Sequence, residues 1–235
     1  MCTLEKRGNI FILTLTGPGE HRLNPPLLDA IRAALGRVRA ESTTSSSALI
    51  TTADGKFFSN GVDPQWLAQS SPNRQARATL LGSKFRSLIA DLISLPMPTI
   101  AAVTGHIAAA GIGLALCHDY VLMRKDRGFL YMSELDIGMP FPAWFVAIIK
   151  CKVGAPASRR LLMLAAGKLT AAEAVEKGIV DSAHDSPAAT VEAAVGLAEK
   201  LVARKWDGEV YAQIRMELLS EVLGLIRASN SGPRL

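Results

Sequence analysis

Residues 99–134 constrain this chain more than any other stretch. A short apolar strand, Thr99–Val103, runs into a turn at Gly105. Four very small residues follow, Ala108-Ala109-Ala110-Gly111, and then an apolar helix is predicted over 112–117. Side chains this small in succession indicate that something approaches the backbone closely, either a neighbouring helix or a bound molecule. About one element later stands a lone acid, Glu134, among Tyr131, Met132, Leu135, Ile137 and Met139. Backbone N–H groups at a helix start can hold a developing negative oxygen. A carboxylate kept from water by apolar neighbours becomes a better base. The two features together point to enolate chemistry. The plainer reading of 108–113 is a helix-packing surface, and that of Glu134 is a surface or N-cap glutamate.

The rest of the chain alternates strands and helices, which predicts an α/β class. Strands are expected at Ile10–Leu15, at 48–52, at Thr99–Val103, at 120–123 and, short, at 128–132. Thr3 and Leu4 can pair with the first of these across the Lys6-Arg7-Gly8-Asn9 turn. Pro25-Pro26 opens a helix over 27–39 with Leu28, Ile31, Leu35 and Val38 on one face. Residues 43–47 read as a polar loop, 57–63 as a segment turning at Gly61, 64–67 as a short helix and 77–94 as a long amphipathic one. Short helices are expected at 145–149, 157–165 and 171–177. The last of these has Thr170 and Glu173 spaced as a capping box, and Gly178 just past its end. Residues 179–181 read as a short extended piece, 188–204 and 209–228 as long terminal helices. No fixed-period repeat is visible.

Of the 235 residues 49% are hydrophobic and 20% charged, enough for a substantial core and against disorder. The net charge of +5 is spread along the chain. It accompanies no nucleic-acid-binding motif and few aromatics, so no nucleic acid is expected as a partner; a mild positive balance suits an anionic small ligand. Cys2, Cys117 and Cys151 are too few and too scattered for a disulfide framework or a zinc site, and no metal is expected. None of His21, His106, His118 and His184 has metal-ligand spacing with another. No G-x-S-x-G nucleophile elbow occurs. No apolar run approaches the length of a membrane span, and the first residues lack the apolar segment of a signal peptide.

Three blocks in this order and spacing resemble the crotonase (enoyl-CoA hydratase/isomerase) superfamily: Phe57-Phe58-Ser59-Asn60-Gly61-Val62-Asp63, residues 99–116, and Tyr131-Met132-Ser133-Glu134-Leu135-Asp136-Ile137-Gly138. The resemblance covers roughly residues 3–201 and is strongest toward plant-type Δ3,Δ2-enoyl-CoA isomerases. It implies a superhelix of ββα units as a core over 1–200, with a C-terminal helix and tail over 201–235, assembled as a homotrimer. It implies Glu134 as catalytic acid/base and the N–H groups of Val62 and Ala110 as an oxyanion hole. Fixed donors of that kind each lower such a barrier by roughly 3–4 kcal/mol at the upper end. Ser59, Asn60, Gly61, Asp63, Ala109 and Gly111 are assigned to substrate binding. Asp63 doubles as a turn or N-cap residue before Pro64, and Ser59 is expected along the CoA channel. The family's usual triple glycine is replaced here by Ala109-Ala110-Gly111.

Position 113 is the most discriminating. Hydratases of the family carry a second glutamate there, whereas this chain has Gly113. Dienoyl-CoA isomerases of the family place a second acid eight residues after the first, where this chain has Pro142. Asp136 and Asp119 are the nearest substitutes, the one in an irregular stretch and the other capping a turn. One base can move a proton from C2 to C4 but is poorly equipped to hold a water as well. The expected activity is isomerisation of 3-enoyl-CoA to 2-trans-enoyl-CoA, auxiliary to fatty-acid β-oxidation, with no cofactor and with CoA as part of an acyl-CoA substrate. The alternatives are an enoyl-CoA hydratase with a displaced second acid, and a non-catalytic acyl-CoA-binding member of the fold. Finally, Pro233-Arg234-Leu235 resembles the small–basic–Leu address read by the peroxisomal import receptor. The expected location is the peroxisome, or the cytosol if the tripeptide is not functional.

Overall fold

A computed structural model describes residues 1–42, 46–68 and 73–230. Most of the loop expected at 43–47 and the tripeptide 233–235 fall outside the described residues.

Strands β1 (Cys2–Arg7) and β2 (Ile10–Leu15) form the hairpin expected from the turn at Gly8, antiparallel and in register from Cys2↔Leu15 to Arg7↔Ile10. Helix α1 (Pro25–Glu41) starts at the Pro pair. The Asn24 side chain caps it by accepting from Leu27 N, and its buried stripe includes Leu28, Ile31, Leu35 and Val38. The chain then repeats one unit. Strand β3 (Ala48–Ala53) is followed by β4 (Phe57–Ser59) and helices α2 (Pro64–Ala68) and α3 (Arg74–Ile93). Strands β5 (Thr99–Val103) and β6 (His106–Ala108) lead into α4 (Ala110–Leu116). Strands β7 (Tyr120–Arg124) and β8 (Phe129–Tyr131) lead into α5 (Ala143–Lys152). In each unit the first strand joins one sheet and the second joins another. The larger sheet runs β1-β2-β3-β5-β7-β10, with β10 at Ser182–His184. The smaller runs β4-β6-β8-β9, with β9 at Leu169–Thr170. Consecutive units stack through parallel pairing, β3 on β5 on β7 and β4 on β6 on β8. This is the ββα superhelix of the crotonase fold.

The central strands β2, β3 and β5 of the larger sheet are buried on both faces, so they read as near-continuous apolar runs. Phe11, Leu13 and Leu15 face the main core, while Ile10, Ile12, Ile50 and Ile100 pack under Ala194, Ala198 and Leu201 of α8 (Pro187–Val202). Helix α6 (Pro156–Leu164) and α7 (Ala171–Glu176) precede it, and the Thr170/Glu173 capping box is present as expected.

Two expectations need correction. The extended piece at 179–181 is a turn: Ile179 and Val180 both donate to Ala174 O, wrapping the end of α7, and the strand starts at Ser182. The helix expected over 209–228 is two, α9 (Gly208–Leu218) and α10 (Ser220–Asn230). Helix α10 lays Val222, Leu223 and Ile226 into the core, whereas α9 turns Val210, Ile214 and Leu218 to solvent, so one straight axis cannot serve both.

Helix α9 is fastened by Arg215, which is 5% exposed. Its guanidinium donates to the carbonyls of Ile93 (2.7 Å), Leu95 and Met97 (3.0 Å), and pairs with Asp119 Oδ2 at 2.8 Å. The carboxylate of Asp119 also accepts from Thr99 N and Oγ1.

Candidate active site

The three sequence blocks meet at one cavity of about 730 Å³. Block 57–63 arrives at the end of β4, block 108–111 at the β6–α4 junction, and Glu134 just after β8. Because β4, β6 and β8 are neighbours in one sheet, their C-terminal ends lie side by side. Ligands of parallel sheets commonly bind at such ends.

Val62 forms an isolated parallel bridge with Leu23: Leu23 N donates to Gly61 O (2.7 Å) and Asp63 N to Leu23 O (3.0 Å). That arrangement leaves the N–H of Val62 facing away from Leu23. Ala110 opens α4, so its N–H lacks an intrahelical partner. Gly61 brings the two segments together. It has φ +76°, and a Cβ there would lie 2.8 Å from Ala109 Cβ and 3.4 Å from Ala110 N. Any larger residue would push the two N–H groups apart.

Ala109 carries strain. It has φ +51° and ψ −128°, a region that favours glycine, and its N–H donates to Tyr131 O at 3.1 Å. Such a backbone costs roughly 1–3 kcal/mol in a residue with a Cβ. Ala109→Gly should therefore stabilise the protein by about 1 kcal/mol, the gain being trimmed by glycine's greater unfolded-state freedom. Thermal unfolding checks this, and a lower midpoint than the parent's would contradict it.

Glu134 is 8% exposed, and its Oε2 is buried without a hydrogen-bond partner among the described residues. Burial pushes its carboxyl above the usual carboxylate range. The expected shielding holds in part. Residues 133–139 form a tight turn closed by Met139 N donating to Glu134 O (2.8 Å), with Gly138 at φ +65°. Leu135, 55% exposed, is absent from the cavity wall, whereas Ile137 and Met139 line it while partly exposed. The rest of the apolar wall comes from Leu81 and Phe85 of α3 and Trp144 and Phe145 of α5, with Phe141 before it. Sequence reasoning missed Leu81, Phe85 and Phe145, since their helical spacing marks them only as core.

Of the expected substrate-binding residues, Asn60 and Ala109 line the cavity, with Val62, Ala110 and Glu134. The other four do not. Ser59 is fully buried and its Oγ donates to His21 O (2.8 Å), so it does not line a channel. Gly111 packs under Ser59, where a Cβ would lie 2.7 Å from its carbonyl oxygen. Gly61 is buried as described. Asp63 accepts from Asn24 Nδ2 and Trp66 N and starts α2, the structural role of an Asx turn. His106 stacks on Phe129, outside the cavity wall.

Glu134 is the one carboxylate among the described residues that line the cavity, beside Arg22, Arg74 and Arg86. Asp136 is exposed and Asp119 is committed to Arg215. A Cβ at Gly113 would lie 2.3 Å from Phe145 Cε2, so an aromatic ring fills the space into which a side chain would project. The family profile described as enoyl-CoA hydratase/isomerase matches residues 5–219. The chain belongs to that family. It is similar to enoyl-CoA delta isomerase 1, peroxisomal, of Arabidopsis thaliana, 60% identical over 95% of this chain and 91% of that one. A second Arabidopsis relative, enoyl-CoA delta isomerase 2, peroxisomal, is 53% identical over 96% and 95% of the two chains. An enoyl-CoA isomerase of Mycobacterium tuberculosis solved without ligand has the same fold, with a TM-score of 0.86 at 22% identity over 98% of this chain and 96% of that one.

Proposed function

We propose that this chain moves a 3-enoyl-CoA double bond to the 2-trans position, with Glu134 as its single acid/base. The observation that carries this is a dry carboxylate, its Oε2 without a hydrogen-bond partner among the described residues, in a cavity lined also by Val62 and by Ala110 at the start of α4. The Glu134 carboxylate takes a proton from C2. The electron pair spreads over C2–C4 and onto the thioester oxygen, where the N–H groups of Val62 and Ala110 hold the negative charge. The protonated Glu134 then gives its proton to C4, leaving the double bond between C2 and C3. The oxidation level of the substrate does not change, so an acid/base residue and fixed donors suffice and CoA enters as part of the substrate. Hydration is disfavoured because Phe145 occupies the room a second acid would need. The non-catalytic reading leaves the unpartnered Glu134 without a role.

The test is a paired assay with 3-hexenoyl-CoA and 2-trans-hexenoyl-CoA. Product from the first and no water addition to the second is the expected result. Hydration of the second would overturn the single-base reading, and silence on both with acyl-CoA binding intact would favour a binding protein. A homotrimer and a role auxiliary to β-oxidation belong to the same proposal. So does peroxisomal residence, which the printed names of the two plant relatives support. Appending Pro233-Arg234-Leu235 to a fluorescent reporter should give punctate signal, and diffuse signal would remove the import receptor from its partners.

A further inference from the structure

Hydrogen bonds from Arg22 and Leu23 hold the 60–62 backbone. Nη1 of Arg22 donates to the carbonyls of Asn60 (3.1 Å) and Val62 (3.3 Å), and Leu23 N donates to the carbonyl of Gly61 between them (2.7 Å). In a planar trans peptide the N–H points opposite the C=O. Pinning Gly61 O toward Leu23 therefore aims Val62 N–H the other way, and Arg22 fixes the peptides on either side. Arg22 is itself aimed. Glu20 Oε2 accepts from its Nε (2.9 Å), forms an ion pair with its Nη2 (2.7 Å), and also accepts from Asn60 Nδ2 (2.7 Å). The Asn60 Oδ1 accepts from Tyr131 Oη (3.3 Å), and the Tyr131 carbonyl accepts from Ala109 N. One connected set of hydrogen bonds thus joins both donor segments and the strand that leads to Glu134.

We infer that Arg22 is a positioning residue: its guanidinium, oriented by Glu20, holds residues 60–62 so that the Val62 N–H stays directed at the thioester oxygen. The inference rests on the isomerase reading. A planar fork that reaches two carbonyls while gripping a carboxylate suits this task, and an ammonium does not reproduce it. The rival role follows from its place on the cavity wall, where a cation could instead grip the phosphates of CoA.

Three readouts separate these roles in Arg22→Met, Arg22→Lys and Glu20→Gln: turnover of 3-hexenoyl-CoA, affinity for unreactive hexanoyl-CoA, and the ultraviolet enolate band of bound acetoacetyl-CoA. Arg22→Met should lower kcat about 10–100-fold and weaken the enolate band similarly, with hexanoyl-CoA affinity within about twofold of the parent. Arg22→Lys should recover part of the loss and Glu20→Gln should show a smaller one. If Arg22→Met does not fold, Glu20→Gln carries the same comparison. Unchanged kcat and enolate band with weaker hexanoyl-CoA binding would make Arg22 a CoA grip and overturn the inference. Unchanged kcat and band with only a lower melting temperature would also overturn it. A parent protein that enolises acetoacetyl-CoA in an Arg22-dependent way, yet leaves 3-hexenoyl-CoA untouched, would defeat the isomerase reading and sustain this one.

Discussion

Glu134→Gln removes isomerisation of 3-hexenoyl-CoA by roughly 10²–10⁴-fold, the range general acid–base catalysis contributes. The amide keeps the shape of the side chain but cannot take a proton. Affinity for hexanoyl-CoA should survive, since the N–H groups of Val62 and Ala110 belong to the backbone. Residual turnover near the parent's would show that another group is the base. The pH profile gives an independent check. Burial raises the Glu134 pKa, so the acid limb of kcat/KM should lie above the usual carboxylate range of about 4.3. The same shift fixes the sign of a stability effect. In the pH window between the unfolded and folded pKa values the native state binds the extra proton, so stability falls as pH rises through that window. Glutamine resembles the neutral acid. Glu134→Gln should therefore melt higher than the parent at neutral pH, and that advantage should vanish below the unfolded pKa. A variant both inactive and less stable at neutral pH would show that Glu134 is held by a contact, not merely desolvated.

Gly113 gives the second large effect. Placing a methyl group 2.3 Å from Phe145 Cε2 forces the ring or α4 to move. Overpacking of this kind costs about 1–3 kcal/mol, and each kcal/mol lowers the melting temperature of a chain this size by about 2–4 °C. Gly113→Ala should fall in that range, and Gly113→Glu should fall further, because it adds a buried carboxylate. Trimming the ring in Gly113→Ala/Phe145→Leu should recover part of the loss. A parent-like melting temperature for Gly113→Ala would mean that the ring yields freely. The consequence for chemistry is that hydration cannot be installed by Gly113→Glu alone. The space for a second acid has to be opened as well as filled.

The order of elements was legible because it is written in local patterns. The Gly8 turn, the Pro pair before α1, the apolar run at Thr99–Val103 and the Thr170/Glu173 capping box each act over a few residues. So was the meeting of Val62, Ala110 and Glu134 at one cavity, through three short blocks whose resemblance implied it. The break at Leu219 was not legible, because that leucine continues the apolar rhythm and only the differing surfaces beneath α9 and α10 divide them. Nor were the walls of the cavity. Phe85 and Phe145 carry the ordinary spacing of core residues, and nothing within α3 or α5 records that their rings will face a carboxylate from another unit. The exposure of Leu135 was concealed the same way. Apolar neighbours in sequence suggest a dry carboxylate, but a tight turn takes Leu135 off the cavity wall while Ile137 and Met139 stay on it.

The fastening at Arg215 has a bearing on how the protein is made. Residues 93–97 leave the ribosome about 120 positions before the guanidinium that their carbonyls require. During that interval three main-chain oxygens destined for the interior have only water to bind. The sheets are already complete in sequence by then, yet the carbonyls between α3 and β5 still lack the guanidinium they bond in the folded chain. A chain ending before residue 215 has no guanidinium for those carbonyls, whatever the state of its catalytic groups. One side chain, far from the chemistry and late in the sequence, thus closes the interior between α3 and β5.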